Sequence, residues 1–202
     1  ALSAASTGFS KTLATGGSGG VVYTQKEELY WRIRSHADRG KPFDHPEFDF
    51  KNPSLLQFPA LNFNLDEMSC AIGISILARL DDINRARLDI YELLAARLSQ
   101  ESAAVSVYRP PMKDCVPALF FCPMVVDIEA LGVDKRQFAD AIAAEGVWLN
   151  SHYRELVSEW PWYVDRFGGA GTTPNAVAFR DTTFNLLYHE AFTDSDVDDI
   201  VA

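Results

Sequence analysis

Residues 6–20 read STGFSKTLATGGSGG, and this stretch decides the fold of the chain. Lys11 lies between small hydroxyl residues and a run rich in glycine, and the apolar segment Val21–Thr24 follows at once. Glycines in such number mark backbone that takes positive φ or lets another group approach closely. A lysine beside them, next to a β-strand, is either a phosphate contact or a nucleophilic amine. The simpler alternative is a solvated lysine at a hairpin loop.

Length and composition indicate a globular protein with one large or two small domains. The chain has 202 residues, of which 48% are hydrophobic and 23% are charged. The net charge of −10 argues against a nucleic-acid partner, which calls for a basic surface. No apolar run reaches the roughly 18 residues that span a membrane, and no signal peptide is visible. We therefore expect a cytoplasmic protein without a membrane partner.

The cysteines and histidines indicate neither a disulfide framework nor a metal site. Cys70, Cys115 and Cys122 form no CxxC pair and are expected to be reduced thiols. The four histidines have no metal-ligand spacing with one another or with cysteine. Metal catalysis is not expected.

Two common phosphate-binding patterns do not fit the glycine stretch. The nucleotide-hydrolase loop needs glycine directly before Lys-Ser/Thr and another five residues earlier, but Ser10 and Ala5 occupy those positions. The dinucleotide fingerprint needs a helix after its glycines, whereas Val21–Thr24 reads as a strand. The reactive amine therefore gains weight, although such an amine must reach a carbonyl and be partly neutral.

Capping patterns predict two helices in the first half of the chain. Thr24 with Glu27, and Asn64 with Glu67, each fit a capping box. The second box opens a long helical pattern from Met68 to Leu98. Because a single helix of that length would be about 50 Å long, we expect a break near residues 81–84.

The second half of the chain predicts a small sheet with helices packed on it. Phe120–Val126 reads as a strand in which Pro123 marks an edge or a bulge. A helix is expected after Asp134, ending at Gly146, and another after the Thr193 cap. The alternation of strands and helices indicates the α/β class.

Several segments resemble sugar aminotransferases of the DegT/DnrJ/EryC1/StrS family. The first is the Ser-x-x-x-x-Lys-x-Leu-x-x-Gly pattern of residues 6–16, followed by more glycines and a Val-Val strand. LNFNLDEMSCAIG at residues 61–73 is similar to the family's Asn-Tyr-Arg-Met segment. LNSHYRELV at 149–157 and FNLLYHEAFTDSDVDDIV at 184–201 resemble later family segments. The four segments follow the family's order over nearly the whole chain.

The resemblance implies a fold and a cofactor. The fold is the end of a large domain of the aspartate aminotransferase-like, pyridoxal-phosphate-dependent transferases, a long bridging helix and a small C-terminal α/β domain. Residues 1–60, 61–98 and 99–202 are the expected divisions. Family members carry further cofactor contacts before their lysine, so we expect the sequence to be a fragment of a longer protein.

The resemblance also implies roles for individual residues. Lys11 is the expected Schiff-base lysine and Ser6 a contact to the cofactor phosphate. Asn62 is expected to reach the phosphate of the neighbouring subunit's cofactor, which implies a homodimer with a shared active site. His152 and Tyr153 are candidates for the substrate side, although a surface histidine at a helix start explains the first equally well.

The implied activity is transfer of an amino group from glutamate to a keto-sugar linked to a nucleotide. Relatives that remove a hydroxyl group instead carry histidine at the lysine position, so Lys11 favours the aminotransferase branch. Two alternatives stay open, a cyclitol aminotransferase and a non-catalytic sensor or dimerisation scaffold. Asn64 stands where the family often has arginine, and the 41–59 loop looks longer than usual. Both departures bear on the substrate pocket.

Overall fold

The computed structural model of the chain describes residues 1–49, 51–52, 54, 56–110, 116–150, 155–168, 171 and 173–202. These residues form two compact units, Ala1–Asp81 and Asp82–Ala202. Both strands and helices are present in each unit, so the α/β class is confirmed. The three-part division into 1–60, 61–98 and 99–202 stays a prediction.

The first unit contains a hairpin and two helices. Strands β1 (Leu2–Ser6) and β2 (Gly20–Thr24) pair antiparallel, with Ser6 opposite Gly20 where the connecting loop leaves the hairpin. Helix α1 spans Glu27–Ala37 and helix α2 spans Glu67–Leu77.

Both predicted capping boxes in this unit were wrong by two residues. The cap of α1 is Lys26, which makes no side-chain cap bond. Thr24 does not cap the helix, because its hydroxyl accepts from the Lys26 amide and donates to the Ala1 carbonyl. The cap of α2 is Asp66, whose carboxylate accepts from the Ser69 amide at 2.9 Å. An aspartate beside the helix start offers a stronger acceptor than Asn64 does, since the cap bond is then assisted by charge.

The long helical pattern is divided earlier than expected. Helix α3 spans Leu80–Glu101, so the break falls at residues 78–79 and not at 81–84. The Arg79 amide donates to Ile76, three residues back, which tightens the last turn of α2 before the chain enters α3.

The second unit is a four-stranded antiparallel sheet with helices around it. The strand order is β3 (Val105–Val107), β4 (Cys122–Val126), β6 (Thr183–Leu186) and β5 (Leu149–Asn150). The remaining helices are α4 (Ile128–Leu131), α5 (Lys135–Ala144), a short 3-10 helix (Val157–Glu159), α6 (Pro161–Phe167), α7 (Pro174–Thr182) and α8 (Asp194–Val201).

One hydrophobic core holds the second unit together. Its side chains come from α3, α5, α8, the sheet and the segment after β6: Tyr91, Leu94, Leu98, Val105, Val107, Cys122, Met124, Val126, Ala139, Phe184, Leu186, Tyr188 and Val197. Strand β4 contributes every second residue, as expected for a strand with one face toward the core. The Asp134 cap, the left-handed Gly146 and the Thr193–Asp196 capping box are all confirmed.

Pro123 does not lie on an edge strand, contrary to expectation, because β4 is flanked by β3 and β6. The Pro123 carbonyl accepts from the Tyr108 amide, one residue beyond the end of β3. In an antiparallel ladder the N–H and C=O of one residue point to the same neighbour. The donor that proline lacks therefore falls past the end of β3, where it removes no bond from the β4–β6 ladder.

Candidate active site

Lys11 lies in the loop that joins β1 to β2. We call residues Thr7–Thr15 the lysine loop. Its two ends are tied together, because the Thr15 amide donates to the Thr7 carbonyl at 3.0 Å, and the Thr7 amide donates to the Gly19 carbonyl at 2.9 Å, next to the start of β2. Within the loop the Lys11 amide donates to the Gly8 carbonyl at 2.9 Å, the bond of a tight turn. Two hydrogen-bonded turns, Gly8–Lys11 inside Thr7–Thr15, thus fix the backbone on both sides of the lysine.

Two buried hydroxyl groups reinforce the same closure. The side chains of Thr7 and Thr15 are 3.1 Å apart at their oxygens, and Thr15 Oγ1 also donates to the Thr7 carbonyl at 3.0 Å. Because a hydroxyl has one proton, Thr7 must be the donor in the bond between the two side chains. Both residues are buried, with 0% and 4% exposure. The pair forms a small polar core beneath the lysine loop.

Helix α2 supports the lysine loop from another direction. A β-carbon at Gly73 would lie 2.9 Å from Thr15 Cγ2, so only glycine allows the loop to approach this closely. At the next contact, Ile72 Cδ1 lies 3.0 Å from the position of a β-carbon on Gly16. Gly73, a poor helix former inside α2, is therefore a packing site for the loop.

Ser6 occupies the last position of β1 and is exposed. Its hydroxyl oxygen accepts from the Gly8 amide at 3.3 Å. That bond uses the oxygen as an acceptor and does not use the hydroxyl proton, which can still be donated. Lys11 and Ser6 are thus carried by one hairpin.

Asn62 lies on a separate segment, where it forms an isolated antiparallel bridge with Asp38 at the end of α1. Its side chain is exposed, and Oδ1 accepts from the Asn64 amide at 3.2 Å. The hydrogen bond from the Asn64 amide orients the Asn62 side chain and uses only its oxygen. The two N–H donors of Asn62 can still bind an anion.

Asp38 is a buried carboxylate that binds two cationic donors. It accepts from Arg39 Nε at 2.6 Å and from Lys41 Nζ at 2.8 Å. Burial acts to raise the pKa of Asp38, but these hydrogen bonds and the charge of Lys41 outweigh it and lower the pKa from 3.8 to about 2. The group is therefore a permanent anion near neutral pH.

The glycine end of the hairpin and the segment of Asn62 border one cavity of about 850 Å³. Ser18–Gly20 line one part of it, and Pro59–Leu61 and Phe63–Leu65 line another. His36 also lines the cavity and packs on the ring of Phe58 with 4.4 Å between centroids. The structure thus brings the segment of Asn62 next to the glycines that follow Lys11.

The other predicted substrate residues, His152 and Tyr153, lie outside the described residues. Within the described ranges, no group of three or more His, Cys, Asp or Glu side chains could hold a metal ion. In the same part of the chain, no helix has both the length and the apolar character to cross a bilayer.

The sequence profile of the DegT/DnrJ/EryC1/StrS aminotransferase family matches residues 3–202. The chain belongs to this family. It is 27% identical over 196 residues to the spore coat polysaccharide biosynthesis protein SpsC of Bacillus subtilis (strain 168), covering 95% of this chain and 49% of SpsC. The chain thus spans about half the length of that relative.

Solved structures of aminotransferases share the fold. PseC of Helicobacter pylori, described as involved in pseudoaminic acid biosynthesis, superposes with a TM-score of 0.83 at 18% identity, covering 99% of this chain and 51% of PseC. DesI, solved in the presence of its TDP-sugar product, gives 0.82 at 17% identity, with 99% and 47% covered. The predicted transferase fold is confirmed.

Members of this family depend on pyridoxal phosphate, and the donor set described above has the chemistry that this group needs. Lys11 supplies a primary amine on a closed loop. The hydroxyl proton of Ser6 and the amide N–H groups of Asn62 are donors of the kind that bind phosphate oxygens. The residues present therefore fit the cofactor.

Sequence reasoning missed the residues that hold these groups in place. Thr7 and Thr15 stand four residues before and four residues after Lys11, and this symmetric spacing was a signal that could have been used. Gly73 disfavours a helix, but nothing around it in the sequence indicates that it packs on the lysine loop. For Asp38 the sequence contains no such signal, since its bridge to Asn62 joins residues 24 positions apart.

Proposed function

We propose that the protein containing this chain is a pyridoxal-phosphate-dependent aminotransferase that moves an amino group from glutamate to a keto-sugar linked to a nucleotide. The observation that carries the proposal is the position of Lys11 on a loop closed by Thr7 and Thr15, in a chain that matches the aminotransferase family almost throughout. A reactive amine is useful only when its backbone is fixed relative to the group it attacks.

Lys11 is the residue that acts on the reacting atoms in this proposal. When bound, pyridoxal phosphate supplies an aldehyde carbon for amines and a ring that stabilises negative charge at the neighbouring carbon. Lys11 would hold this group covalently: its Nζ would condense with the aldehyde carbon, the aldehyde oxygen would leave as water, and an incoming amino donor would later displace the lysine. The freed Lys11 amine would then move a proton between the α-carbon of the donor and the former aldehyde carbon. The closed loop would fix the backbone from which Nζ acts.

Ser6 and Asn62 bind the cofactor phosphate in this proposal. The Ser6 hydroxyl donates from the end of β1, on the hairpin that carries Lys11. Asn62 donates to the phosphate bound by the other subunit of a homodimer. Exposed apolar side chains on α2 support burial against a further surface, since Met68 is 78% and Ile74 is 70% exposed.

The substrate class is inferred from relatives. DesI was solved with a TDP-sugar product, and SpsC is named for polysaccharide biosynthesis. By analogy, a nucleotide-linked keto-sugar is the amino acceptor, and His152 and Tyr153 contact it. A cytoplasmic location is part of the same proposal, since nucleotide-linked sugars are made there.

The test of the proposal is chemical trapping in the full-length protein. After incubation with pyridoxal phosphate, borohydride treatment should abolish a visible absorbance band and leave a reduced adduct on the peptide that contains Lys11. The Lys11→Arg variant should show no adduct there, and Lys26→Arg, at the exposed start of α1, serves as the matched control. Absence of an adduct at Lys11 in the wild-type protein overturns the proposal.

A second measurement separates the enzyme from a sensor or scaffold of the same fold. Addition of glutamate to the loaded protein should remove the visible band and release 2-oxoglutarate, and a nucleotide-linked keto-sugar should restore the band. An adduct at Lys11 without any release of 2-oxoglutarate would favour the non-catalytic alternative.

The shared site is tested by mixing two variants. Lys11→Ala and Asn62→Ala homodimers are dissociated together and reassociated, and adducts are trapped at limiting cofactor concentration. If Asn62 serves the other subunit, each mixed dimer has one intact site, so about a quarter of all sites recover. If Asn62 serves its own subunit, no site in the mixture has both residues and nothing is recovered.

A further inference from the structure

A second cavity in the first unit lies between α1 and the 41–59 loop, and we call it the α1 cavity. Its volume is about 380 Å³. The α1 residues that line it stand at helical spacing and form one face of the helix: Glu28, Trp31, Arg32, Ser35 and His36. A helix face that packs on a neighbouring segment is usually apolar. This face is mostly polar, so the α1 cavity has the lining of a ligand site and not that of a core.

Asp44 enters the opposite wall of the α1 cavity on a tight turn. The His45 amide donates to the Pro42 carbonyl at 3.0 Å and closes this turn around Phe43 and Asp44. The Phe43 ring packs on the guanidinium of Arg34, with 4.3 Å between Cζ and the ring centroid. Because Arg34 belongs to α1, this contact ties the turn to the helix and fixes the backbone of Asp44 at the edge of the cavity.

Gln57 and Phe58 complete the wall that the loop supplies. The Gln57 backbone amide donates to the Gly40 carbonyl at 3.0 Å, a bond that does not use the side chain. The Phe58 ring packs on the imidazole of His36, with 4.4 Å between centroids. His36 also lines the larger cavity beside the glycines that follow Lys11, so the two cavities share this side chain.

The polar groups of the α1 cavity can bind a ligand. Within the part of the chain that the structure describes, the side chains of Asp44, Gln57 and His36 have no hydrogen-bond partner. Glu28 and Arg32 are 3.9 Å apart, a weak contact between exposed groups. Two carboxylates and one guanidinium thus line the cavity, and the excess of negative charge favours a ligand with a positive charge.

Trp31 supplies a flat apolar surface in the same cavity. Its indole N–H donates to Glu27 Oε1 at 3.2 Å, and its ring meets Tyr30 edge-on with 4.8 Å between centroids. These contacts restrict rotation of the ring. An indole beside carboxylates attracts a ligand that has both an apolar face and a cationic group.

We propose that the α1 cavity binds an amino sugar. The ammonium group pairs with Asp44, the hydroxyl groups bind Gln57 and His36, and the C–H face of the sugar ring packs on Trp31. The volume lies within the range of small-molecule sites. The site contains none of the residues proposed to hold the cofactor, so the inference goes beyond the proposed function and does not depend on it.

The test is NMR of the Trp31 indole N–H in the full-length protein, with the signal assigned by its absence in Trp31→Phe. Treatment with borohydride beforehand leaves no aldehyde that an added amine could attack. Glucosamine should shift this signal with a dissociation constant in the millimolar range, which is ordinary for so small a ligand. Glucose has a hydroxyl in place of the amine and should bind about tenfold more weakly, since it forms no charge-assisted bond. Absence of a shift with glucosamine, or equal affinity for both sugars, overturns the proposal.

Two loop variants locate the ligand. Asp44→Asn should weaken the binding of glucosamine about tenfold and leave that of glucose unchanged, because it removes only the charge. Glu47→Gln is the matched control, because Glu47 is exposed on the same loop and does not line the cavity. Its effect should stay below about twofold. If both variants weaken glucosamine equally, the attraction comes from the acidic surface in general and the proposal is wrong.

The outcome is independent of the cofactor. Binding of glucosamine at Trp31 in a protein that forms no adduct at Lys11 would confirm the site and contradict the proposed function. An adduct at Lys11 without a shift of the Trp31 signal would contradict the site alone.

Discussion

The Thr7–Thr15 hydroxyl pair under the lysine loop predicts which of two single variants is less stable, because the direction of the hydrogen bond between the two oxygens is fixed. Thr15 Oγ1 donates to the Thr7 carbonyl, so Thr7 Oγ1 donates to Thr15 Oγ1. Valine has nearly the shape of threonine and can replace either residue without leaving a cavity. The two replacements nevertheless leave different polar atoms behind.

Thr7→Val removes one buried hydrogen bond. The Thr15 hydroxyl keeps its bond to the Thr7 carbonyl, and only one lone pair loses its donor. We expect a loss of about 1 kcal/mol in the free energy of unfolding, the typical value for a neutral hydrogen bond. Thr15→Val removes two bonds and leaves the buried Thr7 hydroxyl without an acceptor. The expected loss is about 2–4 kcal/mol, since an unsatisfied buried group adds about 1–3 kcal/mol.

The double variant decides whether this reasoning is right. With both hydroxyls replaced by methyl groups, no side-chain donor is left unsatisfied, and the Thr7 carbonyl still accepts from the Thr15 amide. We expect it to be more stable than Thr15→Val alone, with a coupling of about 1–2 kcal/mol. Urea denaturation followed by circular dichroism measures all three variants. If the double variant loses the sum of the two single losses, the assigned direction of donation is wrong.

Three further predictions concern other positions. Gly40→Ala should lower the free energy of unfolding by more than about 2 kcal/mol, because φ is +71° and the new β-carbon would lie 2.1 Å from the Phe58 carbonyl oxygen. Gly132→Ala is the control: its φ is +68° but its β-carbon would meet open space, so the expected loss is about 1 kcal/mol, and urea midpoints compare the two variants. Folding lowers the pKa of Asp38 from 3.8 to about 2, so its contribution to the free energy of unfolding is complete above pH 4 and should disappear as the pH falls from about 4 to about 2. Urea titrations at several pH values should show this loss of stability in the wild type and a smaller loss in Asp38→Asn. Burial raises the pKa of Cys122 to about 12, so iodoacetamide at pH 8 should modify it only after unfolding, as read by peptide mass spectrometry; modification of the native protein would contradict its burial.

Local sequence signals predicted the second unit better than the first. The Asp134 cap, the Gly146 stop and the Thr193 box each depend on atoms within four residues of one another, and all three are present. In the first unit, the Thr24 hydroxyl is occupied by Ala1 and Lys26, and Asp66 stands nearer the start of α2 than Asn64 does. The capping-box rule therefore identified the wrong residue at both helices. A short-range motif predicts a cap only where no tertiary contact claims its side chain.

Pro123 shows a second limit of prediction from sequence. The rule that places proline on edge strands concerns the donor it lacks, and the donor matters only where a neighbouring strand offers an acceptor. Strand β3 ends at Val107, and Pro123 lies beyond it. Pro123 is tolerated in a central strand because the neighbouring strand β3 ends before reaching it. No pattern around Pro123 indicates where β3 ends.

The candidate site divides in the same way between local and distant information. Lys11 and Ser6 belong to one motif of adjacent residues, and the structure places both on one hairpin. The support for Lys11 comes from Gly73, more than sixty residues along the chain, and that for Asn62 comes from Asp38. A motif can therefore name the groups that are proposed to act, whereas the groups that hold them must be found in three dimensions. For this reason the predictions that test the site most sharply concern residues such as Thr15 and Asp38, which are buried and are not proposed to touch the cofactor.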